Sequence, residues 1–235
     1  LRNEIITNDK PNATENDLVF DNYAVDRFRL NDDPIMYPSI DWRRYLLNKT
    51  SVQTQHNLNI SGGTKDIRYF ISLGFLYQNG LLKQFEGVGY DNNYKYKRYN
   101  YRANLDFDAT KTTTLKIGIG GIVGNRNEPM INDATNSIWT LINQTTPFSS
   151  PGVIDGKLIV TPEERFDNKI NLGNSALPKC YGTGYSTAIN NTMNLDLLLN
   201  QKLDFITKGL SAEIKGAYNT SYGFTKKRKG QVEQF

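Results

Sequence analysis

From Ile67 to Gln78 the chain alternates strictly between two faces. Ile67, Tyr69, Ile71, Leu73, Phe75 and Tyr77 lie on one; Arg68, Phe70, Ser72, Gly74, Leu76 and Gln78 lie on the other. A period of two is a β-strand. Just upstream, His56, Leu58 and Ile60 alternate with Asn57, Asn59 and Ser61, and Gly62-Gly63-Thr64-Lys65-Asp66 joins the two runs. Glycines there supply the φ > 0 positions of a tight turn, so the pair reads as a hairpin. Strands of soluble domains usually run about 5–6 residues, whereas a tilted strand that crosses a bilayer needs about 9–11. The longer arm therefore fits a membrane crossing, with an apolar face outward and a mostly polar or small face inward. A long strand of a soluble sandwich fits this hairpin alone equally well, so the decision rests on repetition.

The pattern repeats. A third strand, 98–108, sets Tyr99, Tyr101, Ala103, Leu105 and Phe107 against Asn100, Arg102, Asn104, Asp106 and Asp108. A fourth, 113–124, sets Leu115, Ile117, Ile119 and Val123 against Lys116, Gly118, Gly120 and Gly124. These glycines do not form a nucleotide loop: the last glycine of GxGxxG would fall on Val123, and no βαβ unit surrounds them. They read as small residues on a lumen face where something packs closely. A fifth strand, 191–203, carries Met193, Leu195, Leu197 and Leu199 on one face, with Leu198 an exception on the other. A sixth, 210–222, follows the turn through Lys208-Gly209. With 54–62 and 67–78 this makes six strands.

Their connections are sorted. Those after the first, third and fifth strands are short, whereas 79–97 and 125–188 are long. Short turns on one rim and long loops on the other mark an outer-membrane barrel, and a sandwich has no reason to sort its loops by side. The long loops carry helical signals: a helix ending near Gln144 with Ile138, Leu141 and Ile142 at helical spacing and Trp139 beside them, stopped by Pro147, and a turn at Asp155-Gly156. Residues 1–53 read as an extracellular loop region: 1–20 as an exposed loop, 21–30 as a short helix, and Asp41 as the cap of another bearing Trp42, Tyr45 and Leu46. Residues 54–235 read as barrel. The fold class is thus all-β, an antiparallel transmembrane β-barrel segment whose long extracellular loops contain short helices. Six strands cannot close a bacterial barrel, which needs at least about eight, and an open edge in lipid leaves backbone groups unpaired. The expectation is a piece of something larger.

Composition agrees. Hydrophobic residues are 38% of the chain, and no apolar run approaches the ~20 residues of a membrane helix, as expected when only alternate strand residues face lipid. The 14 Tyr and 11 Phe suit strands and interfacial girdles. One cysteine, Cys180, excludes an internal disulfide, and beside one histidine it makes no thiol-protease signal. His56 sits on a strand and reads as interfacial. No carboxylate pair or metal-ligand spacing stands out, so no catalytic residue, metal site or cofactor is expected and the chain does not read as an enzyme. The dense basic run Lys226-Lys227-Arg228-Lys229 reads as a solvated loop near anionic lipid rather than a nucleic-acid patch.

Several stretches resemble the SusC/RagA-like TonB-dependent transporters of the Bacteroides group. They are Tyr37-Pro-Ser-Ile-Asp-Trp42, Gln55-His-Asn-Leu-Asn-Ile-Ser-Gly-Gly63, Tyr69-Phe-Ile-Ser-Leu-Gly-Phe-Leu-Tyr-Gln-Asn-Gly80 and Arg98-Tyr-Asn-Tyr-Arg-Ala-Asn-Leu-Asp106. The Ile138-Trp139 helix, Asp155-Gly156-Lys157, Gly184-Tyr185 and Lys208-Gly209-Leu210 add to the likeness. The resemblance implies a place in the bacterial outer membrane within a barrel of about 22 strands, the remainder of which, with the plug and its TonB-contacting box, lies outside these residues. It implies active import of a large nutrient, glycan or peptide, with a SusD-like surface lipoprotein and the TonB complex as partners. Ligand-binding candidates in the first long loop are Tyr90, Asp91, Asn92, Asn93 and Tyr94, which offer stacking and hydrogen bonds to sugar or peptide. The alternative is a soluble or surface-anchored β-sandwich adhesin or lectin, which would bury its apolar face and lack loops sorted by side.

Overall fold

The computed structural model describes residues 2–85, 89–131, 137–159 and 176–230. Six long strands form one antiparallel sheet: β1 (Gln53–Gly63), β2 (Ile67–Asn79), β3 (Lys95–Asp108), β4 (Thr113–Pro129), β7 (Gly184–Lys202) and β8 (Ser211–Lys229). Their order, β1-β2-β3-β4-β7-β8, is a meander in which each strand pairs with the next long one in sequence. A small hairpin, β5 (Gly152–Ile154) and β6 (Lys157–Ile159), stands apart. Among the described residues there are also five short α-helices, α1 (Arg2–Asp9), α2 (Asn22–Leu30), α3 (Trp42–Leu46), α4 (Ile138–Gln144) and α5 (Ala176–Tyr181), and a 3-10 turn over Glu15–Asp17.

Local chemistry accounts for the ends of these elements. The β1–β2 turn is closed by Thr64, whose N–H donates to the Ile67 carbonyl at 2.7 Å while its hydroxyl accepts from the N–H of Ile67 at 3.2 Å. The β5–β6 turn is Asp155-Gly156, both in the left-handed region at φ 51° and 75°, as the twist of a two-residue hairpin demands. Asp21 caps α2, and Asp41 caps α3 by accepting from the N–H groups of Arg43 and Arg44. Ser137 caps α4.

The strands outrun their apolar segments, all in one direction. β4 continues to Pro129 rather than ending at 124, β7 opens at Gly184 rather than near 191, and β8 runs to Lys229 rather than 222. β3 begins at Lys95. The added residues lie on the long-loop rim and, past Ile189 and Phe224, are mostly polar on both faces, so their composition carries little contrast; backbone pairing with the neighbouring strand holds them. Much of the expected loop 125–188 is thus strand, hairpin and helix, with 132–136 and 160–175 outside the described residues. The basic run Lys226 to Lys229 is the exposed end of β8, not a loop.

Residues 2–9 are helical, against the expectation of an exposed loop. Asn3 explains this: its side chain donates to the Phe20 carbonyl at 2.7 Å and accepts from the Phe20 N–H at 3.2 Å. That bracket is a tertiary contact, and no hydrophobic stripe announces it in the sequence.

The main core is not in the sheet. Trp42 and Leu46 of α3, Leu82, Ile138, Leu141 and Ile142 of α4, Leu158 of β6, and Ala176, Leu177, Cys180 and Tyr181 of α5 form one buried cluster. It gathers the ends of both long connections and the segment before β1 into a cap at the long-loop rim. Backbone bonds tie it together: Ile40 N–H to Pro147 O at 2.9 Å, Lys83 N–H to Leu46 O at 2.8 Å and Asn48 N–H to Leu81 O at 2.7 Å. The Trp42 indole N–H reaches the Thr146 carbonyl at 2.8 Å. Phe148 packs edge-on against Phe20, ring centroids 5.0 Å apart, and so fastens α2 to this cap.

Cys180 sits at the centre of the cap, and burial pushes its thiol up to about 12. At pH 8 roughly one thiol in ten thousand is then the reactive thiolate. Alkylation of Cys180 by iodoacetamide at pH 8, followed by peptide mass, is expected to be at least about 100-fold slower in the folded protein than after denaturation. Comparable rates would show that the cap is open.

Candidate functional site

The register sorts side chains into two faces, with Asn191 and Thr220 as polar members of the apolar one. Through β1 to β4 one row reads Leu58, Leu73, Tyr101, Gly121, and the next Ile60, Ile71, Ala103, Ile119, which continues through Leu195 to Tyr218. The same face carries Ile117 and Leu197, then Leu115, Leu199 and Ile214. These large apolar side chains are exposed in bulk; Leu58 is 55% exposed, Leu197 47% and Ile214 70%. Among the described residues nothing packs over this face, because the core lies in the cap. A sandwich would bury it. On β7 the apolar face runs from Ile189 to Leu199, about 33 Å at ~3.3 Å per residue. At a tilt near 40° that is a band ~25 Å tall, the height of the lipid-facing belt of an outer-membrane barrel. On the long-loop side an aromatic row meets its edge: His56 stacks near Phe75, centroids 6.4 Å apart, Phe75 near Tyr99 at 5.1 Å, and Tyr222 shares the row.

The opposite face is wet. Arg68, Phe70, Asn104, Asp106, Lys116 and Lys215 line an open concavity of about 470 Å³, and Arg102, Asn194 and Asp196 line a second of about 350 Å³ along the same wall. Arg68 bridges strands, 3.9 Å from Asp106 and 3.6 Å from Asp108. Thr114 donates to Asp108 at 2.7 Å, and Asn200 to Glu213 at 3.5 Å. These half-exposed pairs contribute about 0–1 kcal/mol each. What they provide is a hydrated, hydrogen-bonding wall, with Leu198 and Ile122 as apolar exceptions. An aromatic packs closely on two of the β4 glycines: a Cβ at Gly124, on the polar face, would lie 3.2 Å from the Tyr96 hydroxyl, and Gly121, on the apolar face, lies under the ring of Tyr101. Nothing packs so closely on Gly118 or Gly120, where a Cβ would have neighbours no nearer than 3.5 Å and 3.6 Å.

The loop Tyr90–Tyr94 is fastened to the protein. Asn92 is buried and its amide donates to the Cys180 carbonyl. Asn93 is also buried, its N–H donating to Asp91 at 3.0 Å. Asp91 pairs with Lys95. The Tyr90 hydroxyl donates to the Tyr181 carbonyl at 2.7 Å and accepts from the Gly184 N–H at 3.0 Å. Tyr94 packs against the cap core, and burial raises both phenols above their ordinary value. Asn127 donates to the carbonyls of Asp91 and Asn93, each at 3.0 Å, and Arg228 lies over the Tyr90 ring. Asn127, Tyr185 and Arg228 share the face of the apolar band, so the loop leans on that side of the wall rather than over the polar concavities. Periodicity could not have found Arg68, Arg102, Asn104 and Asp196 as a group; only the register brings them together. Among the described residues no cluster of His, Cys, Asp or Glu is arranged to hold a metal ion, and no helix is long and apolar enough to cross a membrane.

No protein-family model matches the chain. It is 26% identical over 164 residues to the TonB-dependent receptor SusC of Bacteroides thetaiotaomicron, a match that takes in 64% of this chain and 16% of SusC. The structure superimposes on the RagAB peptide importer in its closed-closed state with a TM-score of 0.51 at 16% identity, over 80% of this chain and 19% of that one. Against the open-open state the TM-score is 0.53 at 17% identity, over 79% and 19%. This is a SusC/RagA-like chain. Its six strands are antiparallel β-barrel wall, and its apolar belt belongs in the outer membrane. The SusC/RagA-like wall spans a minor part of the relatives it matches: 16% of SusC.

Proposed function

We propose that this chain forms wall and cap of a TonB-dependent importer of a large nutrient, an oligosaccharide or a peptide, rather than an enzyme. The observation that carries the reading is the two-faced wall: an uncovered apolar belt on one side and, on the other, a largely polar face with two open concavities, in a chain similar to SusC. In this reading residues 1–53 and the long connections are extracellular, and a SusD-like surface lipoprotein closes over the cap. A plug elsewhere in the barrel couples to TonB. Substrate passes the side of Arg68, Arg102, Asn104 and Asp196, whose mixed charges and amides suit hydroxyls and peptide groups alike. Tyr90, Asp91, Asn92, Asn93 and Tyr94 serve the substrate through the shape of the rim, because their side chains are spent on holding the loop: Asp91 pairs with Lys95 and Asn92 is bonded to the cap. The resemblance to a peptide importer and to SusC supports import without choosing between substrates.

The test is uptake by cells that carry the complete protein. Labelled mixed peptides and labelled oligosaccharides are offered separately, with and without a protonophore. The expected result is energy-dependent uptake of one class that falls at least about tenfold on gene deletion, and co-purification of a surface lipoprotein. Uptake of both classes unchanged by deletion would overturn the reading.

A further inference from the structure

We infer that the outward faces of β3 and β8 at the long-loop rim bind anionic, phosphate-bearing lipid headgroups. The observation is positional. On β3 the last outward residue of the apolar belt is Tyr99, and the next two outward positions are Lys97 and Lys95. On β8 the last is Phe224, and the next two are Lys226 and Arg228. Both strands thus turn from aromatic to basic within two residues. At ~3.3 Å per residue and a tilt near 40°, the first cation stands about 5 Å and the second about 10 Å beyond the belt. The bilayer is ~30 Å thick in its hydrocarbon and ~40–45 Å with its headgroups, so the headgroup layer is roughly 5–7.5 Å deep on each side; the first cation stands within it and the second just above its outer edge, within reach of a flexible side chain.

Lys97, Lys226 and Arg228 are exposed, and among the described residues Lys97 and Lys226 form no ion pair. No Asp or Glu shares the outward face of these strand ends. Glu128 lies on the polar face with Arg126 at 3.2 Å, and Asp91 is taken by Lys95. The opposite rim differs: Lys65, Lys208 and Lys202 alternate there with Asp66 and Asp204. Tyr90 and Tyr185, ring centroids 5.7 Å apart, sit beside Arg228 and add phenols at the same depth. The partner must be a lipid rather than a nucleic acid or an acidic protein. The stripe is continuous with the belt, so its ligand has to lie against Phe224 and Tyr99 while offering negative charge just above them. Long lysine stems suit this, because they cover apolar surface while the ammonium reaches outward. Near a membrane surface each such cation is worth about fivefold in binding of anionic lipid.

The experiment is native mass spectrometry of the complete protein in non-ionic detergent. It is titrated with phosphatidylglycerol, with phosphatidylcholine of the same chains, and with inorganic phosphate. The wild type is expected to prefer phosphatidylglycerol, K97Q/K226Q to lower its affinity about 25-fold, and K65Q/K208Q on the opposite rim to leave it within about twofold. A folded-barrel gel shift confirms that each variant assembles. Unchanged affinity in K97Q/K226Q, equal binding of the two lipids, or displacement of the lipid by phosphate alone (the mark of a free-anion site) would each overturn the assignment. None of these outcomes depends on what the protein imports.

Discussion

Leu195→Arg is expected to destabilise the assembled barrel by about 2–4 kcal/mol, a 30- to 1,000-fold loss in the folded-to-unfolded ratio. Leu195 lies near the middle of the belt on β7, flanked by Ile119 and Tyr218, with its side chain outward. An arginine there must hold a guanidinium in hydrocarbon or drag water and headgroups inward to meet it. One residue earlier, Asn194 faces the wet wall between Gly120 and Asn219. Asn194→Arg is therefore expected to stay within about 0.5 kcal/mol. The measurement is the urea midpoint in lipid vesicles, with the folded band on an unheated gel as a check. The pair tests whether the apolar face lies against an apolar medium, because on a solvent-exposed face both substitutions would be nearly neutral. Equal tolerance of the two would remove the membrane assignment.

Tyr181→Ala is expected to cost the cap about 3–5 kcal/mol while leaving the barrel wall assembled. Tyr181 is fully buried. Its ring meets Phe85 edge-on with centroids 4.8 Å apart, and its hydroxyl donates to the Lys83 carbonyl at 2.6 Å. Truncation removes the packing that joins α5 to the 80–85 segment. Tyr181→Phe keeps the ring and drops one hydrogen bond, so it should cost about 1 kcal/mol. Hydrogen exchange resolves the two outcomes. In the alanine variant protection falls across α4 and α5 while β3, β4 and β7 keep theirs. Protection lost uniformly through sheet and cap would mean that the two do not unfold separately.

What the sequence determined is the part of the chain that touches lipid. Hydrocarbon on one side and water on the other force the side chains of Ile67–Gln78, Tyr99–Asp108 and Met193–Asn200 to alternate, so the two faces can be read residue by residue. Turn and cap chemistry is local too: Asp155-Gly156 and Asp41 act within four residues of their own position and are legible, whereas Gly62 and Gly63 end β1 without a positive φ and Thr64 closes the turn, and Asp21 caps α2 rather than beginning it. Beyond the belt both faces are wet and the alternation vanishes. The strand ends Asn125–Pro129, Gly184–Ala188 and Thr225–Lys229 therefore became visible only through their pairing partners. The same holds for the change in Lys226 and Arg228 from members of a basic run to outward positions just above the belt. The cap lay furthest from view. Trp42, Leu82, Leu141, Leu158 and Cys180 are scattered over most of the chain; Trp42 and Leu141 read as faces of two separate short helices, and the other three as isolated apolar residues in polar loops. Only closure of both long connections over one rim makes them a core. That closure also turned Asn92 and Asn93, which offer hydrogen bonds to a ligand when read in sequence, into buried supports of the rim.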